Sequence, residues 1–147
     1  MTKLYHEIFI NAAPEKVWAV LADLEAVQSY NPLVTKANIT SQTPYGIGAS
    51  RHCEFTPNGF SNERVTDWDE GSLIGLDTVE SSFPMKICRW KTQLTPKNGG
   101  TLVSQNLEYV VKFGILGDLM NILVMKRKYN QILGNIFVGL KKFVESQ

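Results

Sequence analysis

Apolar and polar side chains alternate at the start of the chain. Leu4, His6, Ile8 and Ile10 fall on one parity and Tyr5, Glu7 and Phe9 on the other, which predicts a strand ending at Asn11. Pro14 and Glu15 then suit the first turn of a helix, and Val17, Trp18, Leu21 and Leu24 continue at helical spacing. Pro32 disfavours helix before it, so the helical region closes by Tyr30-Asn31. Six short alternating runs follow, over 34–41, 49–56, 60–68, 72–80, 86–95 and 101–112. From Leu116 to Glu145 there is no proline, and Leu119, Leu123, Leu133, Ile136, Phe137, Leu140 and Val144 mark a long amphipathic helix. The pattern predicts an α+β fold: a seven-stranded antiparallel sheet, short helices after the first strand, and a long C-terminal helix. A helix of roughly 30 residues, about 45 Å long, can run the length of the sheet and cover its apolar face.

Two turns set the strand registers. Thr56-Pro57-Asn58-Gly59-Phe60 fits a three-residue hairpin loop with Gly59 in the left-handed position. Thr56 then faces Phe60, Cys53 faces Glu63, and Arg51 lies diagonal to Glu63. A two-residue Asn58-Gly59 turn is the competing register and would set Cys53 against Arg64. Asn98-Gly99 is a strong two-residue hairpin signal, and it sets Thr92 against Gln105, Trp90 against Leu107 and Cys88 against Tyr109. Hydrophobicity agrees with this second register. Cys88, Trp90, Thr92 and Leu94 are more apolar than their odd-numbered neighbours, and Val103, Leu107, Tyr109 and Val111 more apolar than the even-numbered ones.

Composition narrows the chemistry. The 147 residues carry 15 Lys+Arg against 14 Asp+Glu, 44% apolar residues, two histidines and two cysteines. That apolar content excludes a disordered tail, and the length allows roughly two-thirds of the unfolded surface to be buried. Balanced charge argues against a phosphate-tracking nucleic-acid binder. Cys53 and Cys88 lie in no paired motif, so a reduced, cytoplasmic compartment is expected. His6 and His52 fall on separate strands, and neither a metal nor a serine–histidine relay is indicated. Gly46-Ile47-Gly48 precedes a strand rather than a helix and reads as a turn, not a phosphate loop.

The candidate chemistry lies on the inward parities. Arg51 shares a face with Ala49, Cys53 and Phe55, and a buried arginine requires a partner, for which Glu63 is placed. This pair is either a polar anchor inside a cavity or an internal ion pair. Thr92 and Gln105, opposed and inward, either bond a ligand or satisfy one another. Trp90 and Tyr109 read as core aromatics or as a stacking platform. The long helix either packs as a plain core helix or serves as a lid, with Met120 and Met125 adaptable to a ligand and Gly114 and Gly117 offering a hinge ahead of it.

The runs Ile8-Phe9-Ile10-Asn11-Ala12-Ala13-Pro14-Glu15-Lys16-Val17-Trp18, Leu21-Ala22-Asp23, Tyr30-Asn31-Pro32, Gly46-Ile47-Gly48-Ala49-Ser50-Arg51 and Asn62-Glu63-Arg64-Val65 resemble the SRPBCC superfamily. The likeness is strongest to its polyketide cyclase/dehydrase group, related to START lipid-transfer domains, the birch-pollen-allergen fold and the plant abscisic-acid receptors. Tyr30 departs from the pattern, standing where many relatives have tryptophan. The resemblance spans essentially the whole chain and implies one START-like domain over 1–147. It implies a helix-grip fold, in which the sheet wraps around the C-terminal helix and encloses a hydrophobic cavity. In the receptor branch the glutamate matching Glu63 points into the pocket.

Candidate ligand contacts are Arg51, Cys53, Phe55 and Glu63 on the first hairpin and Leu76 and Thr78 on the strand over 72–80. Trp90, Thr92, Gln105, Leu107 and Tyr109 follow on the second hairpin, with Met120 and Leu123 on the helix. The first functional reading is binding or carriage of a small hydrophobic molecule: a lipid, polyketide or aromatic compound. The alternative is a cyclase/dehydratase in which Glu63 and Arg51 handle proton transfer and enolate stabilisation. A blander third reading is an interaction module with an incidental cavity. No cofactor, no metal, no nucleic-acid partner and no integral membrane association are expected, and the chain is expected to be a monomer or weak homodimer.

Overall fold

A computed structural model describes residues 1–147. β1 (Thr2–Ile10) leads through Pro14 into α1 (Pro14–Ala22), a 3-10 turn (Leu24–Ala26) and α2 (Val27–Tyr30). The remaining strands are β2 (Val34–Ile39), β3 (Ser50–Phe55), β4 (Phe60–Asp69), β5 (Leu73–Ser81), β6 (Met85–Lys97) and β7 (Gly100–Val111). They form one antiparallel sheet in the order β1-β7-β6-β5-β4-β3-β2. The chain ends in α3 (Gly114–Met120), a π-helical turn (Asn121–Met125) and α4 (Lys126–Glu145), so the long C-terminal helix begins at Gly114 rather than Leu116. β1 also begins earlier than its alternation indicates, because β7 is long enough to pair Thr2 with Tyr109.

The alternation along each strand sorts side chains as expected. Arg51, Cys53, Glu63, Val65, Thr92, Leu94, Val103, Gln105, Leu107 and Tyr109 are all buried. α4 lays Ile136, Phe137, Leu140 and Val144 into this face, and together with α1 and α2 they close one end of the grip. Gly139 permits the approach: a Cβ there would lie 2.1 Å from the Tyr30 carbonyl oxygen. This is the helix-grip arrangement.

The second hairpin has the expected register, with Thr92 opposite Gln105, Trp90 opposite Leu107 and Cys88 opposite Tyr109. The first hairpin has neither of the two registers considered. Arg51 stands directly opposite Glu63 and Cys53 opposite Ser61, and Phe55 N–H donates to Gly59 O at 3.0 Å. Gly59 therefore closes the ladder instead of sitting inside the loop. The cause lies outside the hairpin. Thr56 N–H donates to Leu33 O at 2.9 Å, and Phe60 exchanges bonds with Ser82, so neither residue is free to close the loop. The inward parity survives this two-residue shift, but the arginine and the carboxylate move from diagonal to facing positions.

Candidate functional site

Arg51 and Glu63 form the polar centre of the inner face. Arg51 Nε donates to Glu63 Oε1 at 2.8 Å, and Nη1 donates to the Leu24 carbonyl at 3.0 Å. The arginine side chain is 2% exposed. Burial works against its charge, yet the facing Glu63 carboxylate together with Cys53 and Tyr30 outweighs that penalty and holds the guanidinium above its ordinary pKa. Cys53 Sγ also donates to Glu63 Oε1, at 3.9 Å. Both partners use Oε1, which leaves Oε2 free to accept another bond.

A cavity of about 160 Å³ lies between β3–β7 and α4. Of the expected contacts, Phe55, Glu63, Thr78, Trp90 and Leu107 line it. Arg51, Leu76, Thr92 and Gln105 border a separate void of about 20 Å³, room for a water molecule but not for a ligand. Trp90 and Ile136 line both spaces, and Arg51 Cζ lies 5.6 Å from the centroid of the Trp90 ring. Cys53 and Tyr109 are fully buried and border neither. Met120 and Leu123, expected over the sheet, are 47% and 68% exposed. The face of their helix that turns inward carries Gly117, Asn121 and Met125 instead. Gly117 is not a hinge either, since its missing Cβ lets the helix approach the Lys112 carbonyl, which an added Cβ would meet at 1.8 Å.

Residues outside the expected ligand contacts complete the wall. Asn31 and Leu33 come from the segment after α2, Phe83 from the β5–β6 connection, Met85 from the first position of β6, and Tyr129, Ile132, Leu133 and Ile136 from α4. Ser61 shares the parity of Glu63, so the register already contained the signal for it. A bulge in β5 leaves Val79 without a partner on β4, placing Glu63 opposite Thr78. Two polar atoms of this lining have no partner: Ser61 Oγ and the indole N–H of Trp90. Buried polar atoms in native proteins are nearly always bonded, so an unpaired hydroxyl and an unpaired N–H on two residues of one apolar wall are informative.

Gln105 Nε2 donates to Thr92 Oγ1 at 2.9 Å, while Gln105 Oε1 has no partner. These two residues thus bond each other beside the small void. Thr92→Val removes the acceptor and is expected to cost about 1–3 kcal/mol, whereas Thr92→Val with Gln105→Leu leaves no orphan and should come close to wild type. Urea unfolding of the two variants checks this, and equal losses in both would contradict it.

Burial pushes the thiols of Cys53 and Cys88 up to about 12. Neither is poised as a thiolate near neutral pH. In the unfolded chain such thiols ionise near 9. The folded protein therefore keeps protons that the unfolded chain releases, and stability should fall as pH rises from about 9 to about 12. A urea midpoint that stays flat over that window would contradict the assignment. At neutral pH a thiol reagent should modify the buried Cys53 only as fast as the protein opens, and the partly exposed Cys88 sooner.

A sheet gripping a long helix over a largely apolar cavity defines a START-like domain of the SRPBCC superfamily. The chain belongs to the family described as polyketide cyclase / dehydrase and lipid transport, whose sequence profile matches residues 1–142. Solved structures share the fold. A protein of Thermus thermophilus superposes with a TM-score of 0.83 at 21% identity, covering 99% of this chain and 98% of that one. A START superfamily protein from Mycobacterium smegmatis gives 0.82 at 16% identity, covering 98% and 97%. Major latex-like protein 151 of Panax ginseng gives 0.76 at 13% identity, covering 97% and 96%. At these identities the likeness is one of fold. No curated protein matches the chain in sequence.

Proposed function

We propose that the chain works as one START-like domain that binds a small, mostly apolar molecule carrying a hydrogen-bonding group. The observation that carries this reading is an apolar cavity whose wall includes Ser61, Glu63 and Trp90, with Ser61 Oγ and Trp90 Nε1–H both unpaired. An apolar wall with a few convergent polar atoms is the usual form of a small-molecule site. Trp90 offers a donor, Glu63 an acceptor, and Ser61 either. A phenolic or alcoholic hydroxyl satisfies all three.

Volume selects the size. A cavity of about 150 Å³ accommodates benzene, so about 160 Å³ suits a single aromatic ring or a short branched chain. A long-chain lipid is larger than this space. Arg51 is tied to Glu63 and the Leu24 carbonyl and does not line this cavity, so no observation favours the enzymatic alternative in which it stabilises an enolate.

Native mass spectrometry of the purified protein, followed by calorimetry with benzene, phenol and substituted phenols, tests the proposal. Phenols should bind about tenfold tighter than apolar rings of the same size, the worth of one or two net hydrogen bonds. Equal affinity for benzene and phenol, or no binding of either, would overturn it.

A further inference from the structure

The segment leading into the long helix has its polarity inverted. Inward, it presents Gly117, Asn121 and Met125. Asn121 is held by the Tyr109 hydroxyl, which donates to its Oδ1, and donates in turn to Thr2 Oγ1 at 2.8 Å. Outward, it presents large apolar side chains: Phe113, Ile115, Leu116, Ile122, Leu123 and Val124 are all exposed, Ile115 by 87% and Ile122 by 74%. A surface helix ordinarily turns such residues to the core. Here the burial pattern leaves them in solvent as one contiguous apolar tip, larger than scattered surface residues explain.

Charge surrounds the tip in one sign. Lys112 precedes it and Lys126, Arg127 and Lys128 follow it, all exposed, against the single acid Asp118. That is a local excess of three positive charges in a chain whose net charge is +1. No helix is long and apolar enough to cross a membrane. An apolar surface on a helix end, ringed by cations, has the chemistry that seats at the interface of an anionic bilayer, where apolar side chains enter the acyl boundary and Lys and Arg meet lipid headgroups. A symmetric pair of copies through the same tip would bring two sets of these cations together, which disfavours self-association.

The tip also adjoins the rim of the cavity. Lys112 N–H donates to Pro84 O at 3.0 Å, and the flanking residues Phe83 and Met85 line the cavity. Tyr129, another lining residue, follows directly on Lys128.

We propose that residues 112–128 dock the protein peripherally on anionic membranes, with the apolar tip inserted and the mouth of the cavity held at the bilayer surface. Only the link to the cavity rests on the ligand-binding reading; the docking stands on the tip alone. Co-sedimentation of the full chain, without ligand, is measured on vesicles of phosphatidylcholine alone and of equimolar phosphatidylcholine and phosphatidylserine. Binding to the anionic vesicles that weakens as salt rises is expected. Ile115→Ser with Ile122→Ser should reduce partitioning roughly a hundredfold, and Lys126→Gln with Arg127→Gln about thirtyfold. All four positions are exposed, so the fold should be unaffected, and calorimetry with phenol should give the wild-type affinity in both variants. No sedimentation with anionic vesicles, or equal sedimentation of wild type and both variants, would overturn the proposal. So would a dimer in sedimentation velocity that disappears with Ile115→Ser, which would assign the tip to a second copy. Loss of docking with phenol binding intact, or the reverse, separates this proposal from the ligand-binding one.

Discussion

Arg51→Met is expected to destabilise the protein by about 3–5 kcal/mol, while Arg51→Met combined with Glu63→Leu should recover most of that loss. Both side chains are buried and bonded to each other at 2.8 Å. Removing the cation alone strands the carboxylate, and the Leu24 carbonyl loses its donor as well. Removing both charges replaces the pair with apolar groups of similar bulk, for which neutral or favourable outcomes are common. Urea denaturation gives the comparison directly. If the double variant is as unstable as Arg51→Met, the arginine acts through packing and its bond to Leu24 rather than through its pairing with Glu63.

Ser61→Leu should have opposite effects on stability and on binding. The substitution removes a buried hydroxyl that has no partner and fills part of the cavity with apolar atoms. Relief of the unpaired group and added burial together should raise stability by about 1–3 kcal/mol. The free volume of about 160 Å³ makes overpacking strain unnecessary. Ligand affinity should fall by roughly a hundredfold or more, because the ring would have to occupy space now taken. Such a trade between stability and occupancy is expected where an interior is kept open for a ligand. Destabilisation instead of stabilisation would mean that the cavity contracts around Ser61 and is not held open by the surrounding wall.

The alternation of side chains carried much of the fold. Seven runs gave seven strands, and Asn98-Gly99 set the β6–β7 register residue by residue because its turn depends only on its own backbone, with φ of +49° and +78°. The first hairpin was legible in parity but not in register. Its closing residues are claimed by Leu33 and Ser82, partners that local turn chemistry does not contain. Glu63 and Trp90 were recognisable because a charge and a large aromatic on inward parities stand out. Phe83 and Met85 were not, since they lie where β5 gives way to β6 and no period is established. Met120 and Leu123 show a further limit of periodicity. When a helix is apolar on its broad outer side and carries Gly117, Asn121 and Met125 within, apolar spacing points to the wrong face. Nor does a pattern of inward residues reveal whether they meet. The interior holds two separate spaces with Trp90 and Ile136 lining both, and that division follows from the volumes of side chains packed in three dimensions.

In the proposed binding mode, the cavity holds a polar group of a small ligand at Ser61, Glu63 and Trp90. Proton–nitrogen correlation spectra of the protein titrated with phenol test it most directly, because the Trp90 indole N–H is a reporter inside the site. The prediction is a progressive downfield shift of that resonance, absent with benzene and absent in Ser61→Leu. A Trp90 indole resonance that stays fixed while only exposed residues shift would contradict it.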